Sequence, residues 1–117
     1  MKKILIVEDI ELNIDLLVQL LEDDYELVIA KDGHQGVSLT QETNPDLVLM
    51  DISLPGMDGY QATQLIRQSF PQMPIIGISA HAMQADMQKA LDAGCCDYIT
   101  KPVDEELLLQ KIETHLK

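Results

Sequence analysis

The side chains of Glu8, Asp9, Asp51, Ser79 and Lys101 could together do a chemistry that none of them does alone. Glu8 and Asp9 follow one short apolar run, Asp51 follows another, Ser79 closes a third, and Lys101 comes directly after a fourth. If these runs are parallel strands, all five groups lie at one sheet edge. Three carboxylates a few ångströms apart repel one another by roughly 1–4 kcal/mol per pair at intermediate dielectric. Such a cluster calls for a compensating cation, and a small all-oxygen ligand set suits Mg²⁺, with Mn²⁺ as a substitute. Mg²⁺ keeps positions for water and phosphate oxygens. A carboxylate can also serve as a phosphoryl-accepting nucleophile. Asp51 is the candidate acceptor, and the cation, Lys101 and the Ser79 hydroxyl would neutralise charge spread over the transferred oxygens. Singly, each residue has a plainer reading: an acid at a strand end is commonly a turn or helix cap, Ser79 a cap, Lys101 a surface lysine. Their joint placement carries the argument, because chance would scatter them over both edges.

The elements that must position these groups are legible. Residues 4–7, 27–29, 47–50, 75–78 and 98–100 are short β-rich apolar runs, each followed by a helical pattern. Leu12, Leu16, Leu17, Leu20 and Leu21 fall at helical spacing, and further helices are predicted over about 34–42, 59–68, 83–93 and 104–116. Asn44-Pro45 should stop the second helix, since the residue before proline is driven out of the right-handed helical region. Gly94 should stop the fourth. Asp104-Glu105-Glu106 is a helix start, with acids near the positive end of the dipole. Continuous apolar strands alternating with helices argue for an α/β, doubly wound (βα)5 parallel sheet covered on both faces. Such sheets bind ligands at the carboxyl edge, where strand order reverses. With order 2-1-3-4-5, strands one and three meet at that reversal and their terminal acids converge.

The 117 residues are enough for one core and not for two, so a single domain over 1–117 is expected. Eight basic against twenty acidic side chains give a net charge of -12. A field of that sign repels nucleic acid and anionic membrane surfaces and attracts cations or basic partners. The adjacent cysteines, Cys95 and Cys96, offer neither an unstrained disulfide nor CxxC metal spacing, and are read as reduced thiols. Neither a signal peptide nor a membrane span fits the chain, so a cytoplasmic protein is expected.

The stretches Ile4-Leu5-Ile6-Val7-Glu8-Asp9, Asp46-Leu47-Val48-Leu49-Met50-Asp51, Leu54-Pro55-Gly56-Met57-Asp58-Gly59 and Lys101-Pro102 together resemble the receiver domain of two-component response regulators. The likeness covers essentially the whole chain and implies a flavodoxin-like fold. It implies that Asp51 takes a phosphoryl group from a histidine kinase or a histidine phosphotransfer protein. Asp9 and Asp51 would coordinate Mg²⁺ directly, Glu8 mainly through bound water, and the Ser53 carbonyl would complete the ligands. Lys101 would contact the phosphoryl group, and the Lys101-Pro102 bond would be cis. Removing Lys101 is expected to leave metal binding intact. Ser79 and Tyr98 match the family's switch pair, in which the hydroxyl moves toward the phosphoryl group and the ring turns inward. The backbone N–H of Ala80 would approach a phosphoryl oxygen, while Ser53 and His81 stand where the family tunes dephosphorylation. Ile10 stands where many relatives carry a polar residue, which removes a local helix cap.

The segment from Ser79 to Met83, with that around Cys95 and Cys96, is similar to receivers of hybrid kinases and of stand-alone regulators of cell-cycle type. The resemblance implies a phosphorelay component that catalyses its own phosphoryl transfer and dephosphorylation but turns over no external substrate. Output would come from an effector bound at the fourth helix, fifth strand and fifth helix, with no separate output module. The mostly acidic surface of the first helix is a candidate docking face for a kinase bundle. A monomer is expected, with the last strand and helices as a dimerisation surface.

Three other readings fit less well. A haloacid-dehalogenase-type phosphatase needs an acid two residues after its nucleophile, where Ser53 stands, and more chain than is present. A flavin-binding module needs a hydroxyl- and glycine-rich loop where Glu8-Asp9 stands. The alternative from another class is an adaptor with the receiver fold that is never phosphorylated.

Overall fold

The computed structural model describes residues 1–52, 58–79 and 84–116. Strands and helices alternate: β1 (Lys3–Val7), α1 (Glu11–Leu21), β2 (Glu26–Ala30), α2 (Gly33–Thr43), β3 (Leu47–Asp51), α3 (Gly59–Ser69), β4 (Ile75–Ser79), α4 (Gln84–Ala93), β5 (Asp97–Thr100) and α5 (Glu105–Leu116). All strand pairs are parallel, and the sheet order is β2-β1-β3-β4-β5. The sequence pattern predicts the doubly wound parallel sheet, and the resemblance implies its flavodoxin-like order. Each strand extends one residue or so past its apolar run, because backbone pairing continues where side-chain character changes.

Alternation along the strands divides the interior in two. Leu5, Val7, Val48 and Met50 face Ala62 and Ile66 of α3 and Ala90 of α4. Ile4, Ile6, Leu47 and Leu49 face Leu17 and Leu21 of α1 and Leu108 and Ile112 of α5. The central strands β3 and β4 are buried along their whole length, which is why their sequences show no polar alternation.

Helix ends follow local chemistry. Asp32 caps α2 by accepting the Gln35 N–H, and Asp104 caps α5 by accepting that of Leu107. Asp58 and Gln61 form a reciprocal capping box at the start of α3. Ile10 stands at the start of α1 with no side-chain cap. Asn44 ends α2 in the left-handed region (φ 48°), so the residue before Pro45 leaves the helix by that route and not by an extended one. The leucine set of α1 divides. Ile14, Leu17 and Leu21 are buried, whereas Leu12 and Leu16 are exposed. The surface of α1 is therefore part apolar and not mostly acidic, which corrects the expectation above.

Candidate functional site

The carboxyl ends of β1, β3 and β4 and the residue after β5 bring the candidate groups together. Glu8 continues from β1, with its N–H donating to the Ala30 carbonyl at 2.9 Å, and its side chain is buried. Asp51 ends β3, opposite Ile78 in the register, and is also buried. Asp9 is exposed beside them. One carboxylate oxygen from each of Glu8, Asp9 and Asp51 lies within 4.8 Å of the others.

Lys101 reaches this triangle from beyond β5. Its backbone N–H donates to the Ser79 carbonyl at 2.7 Å, and the Lys101–Pro102 peptide bond is cis. Its Nζ donates to Glu8 Oε1 at 3.1 Å and lies 3.7 Å from Asp51 Oδ2. Glu8 Oε2 accepts the Asp9 backbone N–H at 3.0 Å. Burial pushes the Glu8 carboxyl above its ordinary range, and hydrogen bonding with Asp51 and the charge of Asp51 push it further. Lys101 opposes the rise without cancelling it. An oxygen-only cluster of three carboxylates held so close fits a hard divalent cation in donor type and charge.

Gly59 fixes the backbone beneath the acceptor position. A Cβ there would lie 2.5 Å from the Ile52 Cα and would also strike the Asp51 carbonyl oxygen. The Gly59 N–H donates to the Ile52 carbonyl at 3.1 Å. The glycine lets α3 start directly against the end of β3. Its place in the sequence block is plain, but the close approach that requires it depends on the tertiary fold.

Ser79, buried at the end of β4, pairs with Thr100. Tyr98 is buried opposite Gly77, on the sheet face that carries α3 and α4. Strand alternation puts Ser79 and Tyr98 on the same face, one diagonal step apart. Ser53, Ala80 and His81 lie outside the described residues. A cavity of about 120 Å³ adjoins the site, bounded by Glu8 and Lys101 on one side and Leu16, Leu17 and Val103 on the other. Neither this cavity nor the Glu8–Lys101 contact is legible in the sequence, since each depends on side chains brought together across the fold.

Residues 4–113 match the family model of the response regulator receiver domain. The chain belongs to that family. The receiver is 35% identical over 118 residues to the polar-differentiation response regulator DivK of Brucella ovis, covering 98% of this chain and 96% of that protein. A CheY-like receiver domain protein from Methanospirillum hungatei superposes with a TM-score of 0.92 at 34% identity, covering 99% of this chain and 94% of the other. The receiver domain of a sensor histidine kinase from Pseudomonas aeruginosa, solved with a magnesium ion coordinated in its active-site cleft, superposes with a TM-score of 0.91 at 34% identity over 98% and 97% of the two chains. The protein is thus a response regulator receiver of two-component signalling. None of its helices among the described residues is long and apolar enough to cross a membrane.

Proposed function

We propose that this single receiver domain, residues 1–117, accepts a phosphoryl group on Asp51 from a phosphohistidine and thereby changes its affinity for a protein partner. The observation that carries the reading is the meeting of Glu8, Asp9 and Asp51 oxygens within 4.8 Å, with the Lys101 ammonium against two of the three acids. Glu8, Asp9 and Asp51, with the Ser53 carbonyl, would hold Mg²⁺ or Mn²⁺. A cation bound there supplies positive charge against the phosphoryl oxygens.

The chain's own groups do the rest. An Asp51 carboxylate oxygen attacks phosphorus, the phosphorus–nitrogen bond of the donor breaks, and the electron pair leaves on the imidazole nitrogen, which takes up a proton. Lys101 Nζ and the Ser79 hydroxyl donate to phosphoryl oxygens, joined by the Ala80 N–H. Movement of Ser79 opens space for the Tyr98 ring to reorient, which couples the site to the surface of α4, β5 and α5. Ser53 and His81 set the rate at which water removes the phosphoryl group.

A protein donor must rest on the rim of the site. Ile10, Leu12 and Leu16 give that rim exposed apolar area beside Glu11 and Asp15, which suits a histidine kinase or histidine phosphotransfer helix with an apolar stripe and basic flanks. Exposed Met87, Leu91 and Leu107 on α4 and α5 suit an effector. The net charge of -12 disfavours nucleic acid as a partner, and the protein is taken to act as a cytoplasmic monomer. The test is intact mass after incubation with Mg²⁺ and a small phosphodonor. Wild type should gain one phosphoryl group and Asp51→Asn none; no gain in wild type, or an equal gain in both, contradicts the proposal.

A further inference from the structure

The cavity of about 120 Å³ beside the acceptor site has no part in the proposed chemistry. Its apolar walls are Leu16 and Leu17 of α1, Ile78 of β4, and Pro102 and Val103 of the segment that leads into α5. Leu17 and Ile78 are buried, so the floor belongs to the core, whereas Leu16 is 44% exposed and marks the mouth. The polar wall is Glu8 and Lys101, and these groups satisfy each other at 3.1 Å. The second Glu8 oxygen accepts the Asp9 N–H. Among the described residues, no buried side-chain nitrogen or oxygen lacks a partner. A charged guest would have to break bonds already made, and a water in the cavity would find few partners. Asn13 adds one amide to the lining, which suits a single hydroxyl. Apolar cavities of about 150 Å³ accept benzene, which sets the size of the guest.

We infer that this cavity is a binding site for a small uncharged molecule built on one aromatic ring, a phenol in chemical class. The ring packs between α1 and the Pro102–Val103 segment, and its hydroxyl meets the Asn13 amide. Burial of apolar area drives the binding. A rigid ring gives up little conformational freedom on entering, unlike an alkyl chain of the same volume. The site needs neither a metal ion nor a phosphoryl group, so it stands apart from the proposed function.

The test is titration of the full, unphosphorylated chain with phenol in EDTA, followed by NMR of the backbone amides. The shifts should saturate with a Kd of about 1 mM and centre on Leu16, Leu17, Ile78 and Val103. Benzoate, an anion meeting a chain of net charge -12, should bind at least about tenfold more weakly. Benzylammonium should gain nothing over phenol, because both Glu8 oxygens are engaged; tighter binding by it overturns the uncharged class. Val103→Phe fills the cavity and should weaken phenol binding at least about tenfold, while Leu12→Ala, outside the lining, should stay within about twofold. Leu16→Phe is a second filling variant should the first disturb folding, which circular dichroism would report. Shifts that do not saturate, that centre elsewhere, or that both filling variants leave unchanged overturn the inference. Because the titration contains neither Mg²⁺ nor a phosphodonor, its failure leaves the proposed function standing.

Discussion

At the scale of the residue, the cost of the acid cluster is a measurable quantity. Asp51 and Glu8 are buried beside each other, and the raised Glu8 carboxyl reports their repulsion and burial. In EDTA, Asp51→Asn should stabilise the fold by about 1 kcal/mol, a rise of about 4 °C in melting temperature. Millimolar Mg²⁺ should raise the wild-type melting temperature and move that of Asp51→Asn much less. Thermal denaturation of both proteins with and without Mg²⁺ checks this, and equal shifts would contradict it. Glu8, Asp9, Asp51, Ser79 and Lys101 could be read from the sequence because each ends or follows a strand, and parallel strands send their ends to one edge. The Glu8–Lys101 pair could not, because it joins residues 93 apart and depends on which of three acids the flexible lysine chooses.

At the scale of the element, α1 and α5 carry the informative departures. Helix α1 has more apolar residues than its buried face needs. Ile14, Leu17 and Leu21 fill that face, leaving Leu12 78% exposed. Two apolar stripes overlap in the sequence, and periodicity alone cannot say which one meets the sheet. Leu12→Asp should therefore change stability by no more than about 0.5 kcal/mol. It should slow phosphorylation by a protein phosphodonor while leaving that by a small phosphodonor unchanged, which parallel kinetic assays would resolve. Helix α5 is tied to β5 through Asp97, which accepts from Lys111 Nζ at 2.6 Å and pairs with His115 Nε2 at 3.0 Å. Burial works against the ionised Asp97 carboxylate. The hydrogen bonds from Lys111, His115 and the Tyr98 N–H outweigh burial and hold its pKa below the ordinary value of 3.8. A lowered pKa contributes stability that is present above the unfolded value and lost as pH falls through the folded one. Asp97→Asn should thus cost about 1 kcal/mol at neutral pH, and its difference from wild type should narrow below about pH 4. Urea denaturation across pH checks the sign; a gap that widens in acid would contradict it.

At the scale of the whole molecule, the alternation of apolar strands and helices sufficed to predict a parallel sheet covered on both faces, whereas the strand order rested on the resemblance to receivers, because alternation alone does not say which strands are neighbours. That order places β1 beside β3, and the adjacency makes one site of Glu8, Asp9 and Asp51. The two-sided core holds these strand ends in place, so the acids stay together despite their repulsion. The central claim is that this meeting point accepts a phosphoryl group at one atom set, the Asp51 carboxylate. The most direct measurement is borohydride reduction of the protein after treatment with Mg²⁺ and a small phosphodonor, followed by peptide mass mapping. Homoserine at residue 51 alone is the expected result. Homoserine at Glu8's neighbour Asp9, at Asp58, or nowhere in the chain would contradict it.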